Sequence, residues 1–337
     1  MTHARKDGYR PVGLAPLRRF AAAAVLVASA LPSSAMAQML TRVDLDNDAF
    51  NFWQAPARRA DREYSQGARV NLLWPTGGDL ARRLLGGPHL CTEEAASRDC
   101  RMLSIAATQK IYTPDLVLRR RQPSERPFAG WLGAELGVQR DRATGLSAWS
   151  VTVGVTGEPS FGEAAQKSVH RIFGFREPDG WNAQLPTEVA FALRYNGARQ
   201  LLRAEQLSTG LRLIVAPSWS ARVGTLATDA SAGISMTAGL RPPAPWATGA
   251  SSRSDRWGIF ARVGATQSVV ARNLFLDGTA FTRSARVSRN LLIGEVDVGV
   301  GLRSPVGMVE WRMHRQGREY RLQPRSHAYS TFAFSLR

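Results

Sequence analysis

Short runs of strict two-residue alternation recur along the chain. Leu132, Ala134, Leu136 and Val138 share one face of a segment whose other face is Gly133, Glu135, Gly137 and Gln139. Trp149, Val151, Val153 and Val155 alternate with Ala148, Ser150, Thr152 and Gly154, and Val189, Phe191, Leu193 and Tyr195 with Glu188, Ala190, Ala192 and Arg194. Val296, Val298, Val300 and Leu302 oppose Glu295, Asp297, Gly299 and Gly301. The last run sets Phe332, Phe334 and Leu336 against Thr331, Ala333 and Ser335. A period of two marks strands. Apolar residues on one face and Gly, Ala, Ser or charge on the other suit a strand between lipid and a filled or wet lumen. A soluble sandwich alternates in the same way. The small and charged second face, and the alternating final strand, tip the reading to a transmembrane antiparallel β-barrel. About ten to fourteen strands can be counted, and an even number is expected of a bacterial barrel.

One segment breaks the rhythm. Residues Gly162 to Gly174 do not alternate and predict a short helix, with Ser160 as a start signal, Gly174 as a stop, and Val169, Ile172 and Phe173 as its apolar side. Gln166 and His170 stand four apart and so project from one face. The proline- and serine-rich stretch from Pro242 to Asp255 reads as one long surface loop.

The N-terminus changes the setting. Arg18 and Arg19 precede an apolar run from Phe20 to Leu31, and Ala35-Met36-Ala37 offers a small-residue cleavage pattern. These are the parts of a secretory signal over residues 1–37, with a barrel domain over 38–337. The run is shorter than the roughly 20 apolar residues of a spanning helix. No later apolar run reaches that length, so a membrane position requires a closed barrel. Without the first 37 residues the chain keeps 39 basic against 26 acidic residues, a net charge of +13, nearly all of it arginine. Guanidinium suits phosphate, but a basic solvated surface explains the charge equally well, and export disfavours nucleic acid. Cys91 and Cys100, the only cysteines, read as one local disulfide in an oxidising compartment.

Two sets of residues carry candidate chemistry. Asp44, Asp46, Asn47 and Asp48 form an oxygen-rich cluster that suits a hard cation such as calcium, although a polar turn gives the same spacing. His170, on the predicted helix, is placed to act as a general base, with Glu177 seven residues on, near enough to orient it or to bind a metal. No Gly-x-Ser-x-Gly elbow, phosphate loop or zinc-protease motif is present.

Seven fragments in order resemble the outer-membrane lipid A 3′-O-deacylases. They are Asn47-Asp48-Ala49-Phe50, Asp61 through Gly67, Gln109 through Pro114, Arg126 through Trp131, Gln166 through His170, Gly180 through Gln184, and Asn273 through Gly278. The resemblance implies a barrel of twelve strands with a short active-site helix, the site lying outside, between wall and helix. It implies calcium-dependent hydrolysis of the 3′ ester of lipid A in the lipopolysaccharide of the outer membrane. Carried over by motif, His170 activates water, Asp48 with Asn47 holds Ca2+, and Glu177 is a further metal ligand. Lys110 stands near the oxyanion, Ser65 replaces a positioning threonine, and Gln166 orders the base or the substrate. From composition alone, exposed arginines, Arg126 among them, are expected to grip lipid A phosphates, and a monomer is expected. The competing expectation is a non-enzymatic barrel, a pore or a surface-binding protein. A barrel phospholipase is weaker still, because its serine–histidine–asparagine arrangement is not evident.

Overall fold

The alternating runs are strands, and they extend beyond the residues that alternate most cleanly. A computed structural model describes residues 39–51, 62–87, 99–114, 124–174, 177–206, 208–247 and 256–336. The expected signal over residues 1–37 and Cys91 therefore lie outside the described residues, while Cys100 is buried and disulfide-bonded. The strands are β1 (Leu40–Asn47), β2 (Glu63–Pro75), β3 (Asp99–Thr113), β4 (Ala129–Arg142), β5 (Gly145–Thr156), β6 (Val189–Arg199) and β7 (Leu202–Gln206). They continue as β8 (Leu211–Val223), β9 (Ala227–Leu240), β10 (Gly258–Asn273), β11 (Leu292–Ser304), β12 (Gly307–Gln316) and β13 (His327–Leu336). Among the described residues three α-helices lie between strands: α1 (Asp79–Leu85), α2 (Gly162–Phe173) and α3 (Leu274–Asp277).

Every neighbouring pair is antiparallel, and the sheet closes on itself. First and last strands pair from Thr41↔Leu336 to Asn47↔Ser330. At the other seam β6 takes the upper half of β8, from Leu193↔Val223 to Ala198↔Ser218. The lower half goes to β7, from Leu202↔Val215 to Gln206↔Leu211. Thus β6 and β7 are two parts of one stave, and the barrel has the twelve positions that the family resemblance implies. Closure matters because an open edge would leave N–H and C=O groups unpaired in lipid.

The faces divide as the alternation requires. Val296, Val298, Val300 and Leu302 are exposed on the outside of β11, and Leu136, Val151, Val153, Val189, Phe191 and Leu193 continue the apolar band over β4 to β6. So wide an apolar surface is far beyond the patches a soluble monomer exposes, and lipid is the medium that accommodates it. Charge turns inward instead. Arg42 pairs with Asp44 at 2.7 Å, Arg69 with Glu135 at 2.6 Å, Arg222 with Asp229 at 2.5 Å and Arg262 with Glu310 at 3.0 Å. Much of the arginine content thus fills the lumen opposite carboxylates.

Apolar clusters pack at both ends of the barrel among the described residues. Trp131, Ala190 and Ala192 meet Leu185, Leu226, Leu274 and Phe275 across the rim opposite the chain ends. Phe275 of α3 stacks on Tyr112 of β3 with ring centroids 4.3 Å apart, spanning the barrel between distant staves. At the other end Trp246 packs on Ala198, Ile214 and Ala216. Thr237 donates to the Pro243 carbonyl at 2.8 Å and Arg262 to that of Pro245 at 2.9 Å. This corrects the expectation of a surface loop from Pro242: residues 242–247 fold into the lumen, because the apolar Trp246 and the prolines find cover there. The remainder, 248–255, lies outside the described residues.

A second correction concerns Arg126. Its side chain is wholly buried, with Nη1 3.1 Å from Glu63 and 2.8 Å from Glu319, and its guanidinium lies 4.5 Å from the Tyr112 ring centroid. Burial opposes the charge, but Glu319 and Glu63 outweigh it and hold the guanidinium more firmly charged than usual. Tyr320 donates to Glu63 at 2.9 Å and to Glu125 at 3.0 Å. Burial, and then the Glu63 carboxylate, push its phenol far up, so it stays a donor. Arg126 is a rim lock joining β2 to the loops before β4 and before β13, and it is not available to lipid.

Two outcomes follow. The purified barrel reconstituted in a planar bilayer should give no sustained channel current, and porin-sized conductance would contradict a lumen filled by these side chains. Arg126→Ala should cost about 3–5 kcal/mol, since it leaves two buried carboxylates facing each other, read as an earlier urea midpoint in detergent.

Candidate active site on the outer wall

The outward phase of the first four strands is interrupted near the rim. Leu45, Val70 and Leu136 are exposed on this face. Following the register upward from them gives a row of paired residues, Asn47↔Gln66, Gln66↔Ile111 and Ile111↔Gly130, on β1 to β4. By phase this row should face lipid. Ile111 is nevertheless only 1% exposed, because α2 and the segment after it cover the wall here. Ile111 packs with Phe128 and Trp181, and Ala165 of α2 joins them.

The covering helix sits close for a local reason. A Cβ on Gly130 would lie 2.1 Å from Ser160 Oγ and 3.1 Å from the Gly162 Cα, so only glycine lets the backbones approach. Gln109 of β3 reaches out to donate to the Ser160 carbonyl at 2.8 Å. Ser160 does not cap the helix as expected. It ends a preceding 3-10 turn with its hydroxyl on the Gly157 carbonyl at 2.5 Å, and left-handed Phe161 (φ 55°) stands at the helix start. Gly174 ends the helix as expected, at φ 69°.

The buried side of α2 is not its apolar side, which corrects the expected Val169–Ile172–Phe173 face. Gly162, Gln166 and His170 are buried, whereas Phe161 is 40% and Ile172 76% exposed. The Phe173 side chain lies outside the described residues. A helix on a lipid-facing wall can turn apolar residues outward at no cost, and this one keeps its polar residues against the protein.

Gln166 is oriented by a partner that the sequence did not assign. Trp181, in the 3-10 turn Trp181–Ala183 and 2% exposed, donates its indole N–H to Gln166 Oε1 at 2.9 Å. Fixing the oxygen fixes the amide, and the buried Gln166 Nε2 is left with no hydrogen-bond partner among the described residues. An unmet buried donor costs about 1–3 kcal/mol and marks a place for a ligand oxygen. The signal available beforehand was only that Trp181 belongs to one of the ordered fragments.

The rest of the expected set divides into three groups. Asn47, Asp48 and Ser65 stand together at the tops of β1 and β2. Asp48 is 2% exposed, opens a 3-10 turn and accepts from the Arg62 backbone N–H at 3.2 Å. Ser65 is fully buried at a bulge between Tyr64 and Gln66, with its hydroxyl 2.6 Å from that of Thr113. Lys110 is elsewhere. It pairs in register with Gly67 and Trp131 on the lumen phase, and its ammonium lies 5.6 Å from the Tyr64 ring centroid. Its charged neighbours include Asp46, Arg69, Arg194 and Arg222, which only the lumen brings together. Gly67 permits this packing: a Cβ there would lie within 1.8 Å of the Tyr64 hydroxyl, which donates to Asp46 at 2.6 Å. Glu177 is exposed and pairs with Arg171 at 3.2 Å. Among the described residues no group of three or more His, Cys, Asp or Glu side chains is arranged to hold a metal.

Gly130→Val should lift α2 from the wall without opening the barrel. Limited trypsin digestion should then cut at Lys167 or Arg171 while the barrel fragment persists; wild-type resistance in the variant would count against the glycine contact.

Comparison with known proteins agrees with this architecture. No curated protein matches the chain. The structure of LpxR from Salmonella typhimurium superposes with a TM-score of 0.69 at 18% identity, over 88% of this chain and 99% of that one. The β-domain of the Bordetella autotransporter BrkA is a weaker likeness, with a TM-score of 0.41 at 9% identity over 89% and 98% of the two chains. It carries no weight here. The family model described as outer membrane protein LpxR matches residues 20–337. Nearly the whole chain is covered, the resemblance read from the seven fragments is the family found, and the protein belongs to the LpxR family of outer-membrane β-barrels.

Proposed function

We propose that this barrel is a carboxylic ester hydrolase that removes the 3′-linked acyl group from lipid A of lipopolysaccharide, using water activated by His170. The observation that carries the reading is the helix face. Gln166 and His170 are buried on the face of α2 toward the outer wall, beside exposed apolar surface, so a lipid ester can reach them laterally without entering the lumen.

The chemistry balances with the residues present. The His170 imidazole takes a proton from water as the water oxygen attacks the ester carbonyl. The Gln166 amide N–H, aimed by Trp181, donates to the oxygen on which negative charge develops. As the carbon–oxygen bond to the sugar breaks, the imidazolium returns its proton to the departing alkoxide, leaving a fatty acid and a free 3′ hydroxyl. His170 lies in the last turn of α2, where the carbonyl end of the helix favours the positive charge the ring acquires.

For calcium, the donor chemistry is suitable: Asp48 supplies a carboxylate, Asn47 an amide oxygen and Ser65 a hydroxyl, all hard ligands. Asp48 with Asn47 would hold the ion, and the remaining ligands would be neutral oxygens. When bound, it would polarise the ester carbonyl as a Lewis acid. Glu177 would join only by leaving Arg171. Lys110 acts in this reading from the other side of the wall, where with Tyr64 and Asp46 it fixes the tops of β1 and β2.

His170→Ala and Asp48→Ala should each slow deacylation by about 10²–10⁴-fold while still assembling in the membrane, and EGTA should stop the wild type. Mass spectrometry of lipid A is the readout: cells with the active protein should lose the mass of the 3′ acyl group. Unchanged cleavage by both variants would sink the assignment.

A further inference from the structure

Most lumen arginines face carboxylates. The β12–β13 hairpin is different. Arg315, Arg318, Arg321 and Arg325 are all exposed at or just beyond the rim opposite the chain ends. The one carboxylate of residues 315–325, Glu319, is turned inward onto Arg126 and is 7% exposed. The exposed surface of the hairpin therefore carries four guanidiniums, and its one acid, Glu319, is buried.

This display is built on a held backbone. The Asn290 backbone N–H donates to the Glu319 carbonyl at 2.7 Å, and that of Arg321 to the Ser288 carbonyl at 2.9 Å. The Asn290 side chain donates to the Arg318 carbonyl at 2.8 Å. Arg315 Nε donates to Ser326 Oγ at 3.2 Å, across the base of the hairpin. Large apolar side chains stand beside the charges: Leu322 next to Arg321 is 67% exposed, and Phe281, two residues from exposed Arg283, is 75% exposed. Exposed cations interleaved with exposed apolar groups are the composition of a surface at the level of lipid headgroups. Position completes the case. With strands about 4.8 Å apart, β12 lies two staves from β1, roughly 10 Å from Asn47 along the outer wall.

We propose that this hairpin binds the phosphate groups of a phosphorylated glycolipid headgroup while the lipid's acyl chains lie against the wall toward α2. The glycolipid identity rests on the function proposed above; the phosphate binding does not involve His170. A phosphomonoester carries about −1.5 to −2 charge near neutral pH, more than the single charge of a phospholipid phosphodiester. Guanidinium grips it through paired N–H donors. Four arginines within eleven residues match such concentrated charge better than they match isolated phosphodiesters.

The test uses the full chain in detergent and a soluble probe, the fully deacylated bisphosphorylated glucosamine disaccharide. Wild type should bind it, and binding should weaken as salt is raised. The triple variant R318Q/R321Q/R325Q, and wild type offered the phosphatase-treated probe, should each bind about tenfold more weakly or worse. R318K/R321K/R325K should recover part of the affinity, and H170A should bind as wild type. If the triple glutamine variant fails to assemble, the single variants R318Q and R321Q should each weaken binding measurably. Equal binding by assembled glutamine variants and wild type overturns the proposal, as does equal competition by glycerophosphoglycerol. Loss of the deacylase assignment with these binding results intact would remove only the reaction, so the two failures are distinguishable.

Discussion

A lipid interior offers no hydrogen bonds, and every backbone N–H and C=O that faces it must be paired within the protein. In this chain that requirement is met at two seams. One joins β1 to β13, and the other lets β8 take β6 above and β7 below. The interruption between β6 and β7 would be an open edge in a soluble sheet. Here both pieces keep the same partner, and the wall remains continuous.

Closure then dictates where side chains can go. Alternate residues face lipid and are apolar; the others face the lumen and fill it. Arginine–carboxylate pairs occupy the middle, and apolar layers around Phe275 and Trp246 occupy the ends. Buried pairs of this kind contribute little net stability, but they let a strongly basic chain place its charge away from the acyl chains. The result is a wall whose lumen is filled and whose outer surface carries the proposed site. That makes the covered row at Asn47, Gln66, Ile111 and Gly130 informative. It has the phase of lipid-facing residues and the burial of a core, and the groups above it, Gln166 and His170, are polar.

The rim connects these parts. Arg126 ties Glu63 to Glu319, so the strand that carries Ser65 and the hairpin that displays the outer arginines share one ionic joint. The Arg62 N–H on Asp48 extends the joint to the top of β1. A residue that reads from composition as a surface cation is thus a fastening between elements 193 residues apart in sequence.

Alternation, a helix ending at Gly174 and the ordered fragments were legible in the sequence, because they depend on neighbours within one element or on a motif. Strand faces were legible for the same reason: period two leaves no choice once one side meets lipid. What the sequence could not decide is anything set by partners distant along the chain. Arg126 and Arg318 look alike in composition, and only the placement of Glu63 and Glu319 separates a buried lock from an exposed cation. Trp181 and Gln166 become a pair only when the loop after α2 folds back on the wall. The lumen position of Lys110 follows from its register with Gly67 and Trp131, since a shift of one residue would turn it to the lipid. Local pattern determined the barrel; long-range register and burial decided which polar residues meet on its outer face.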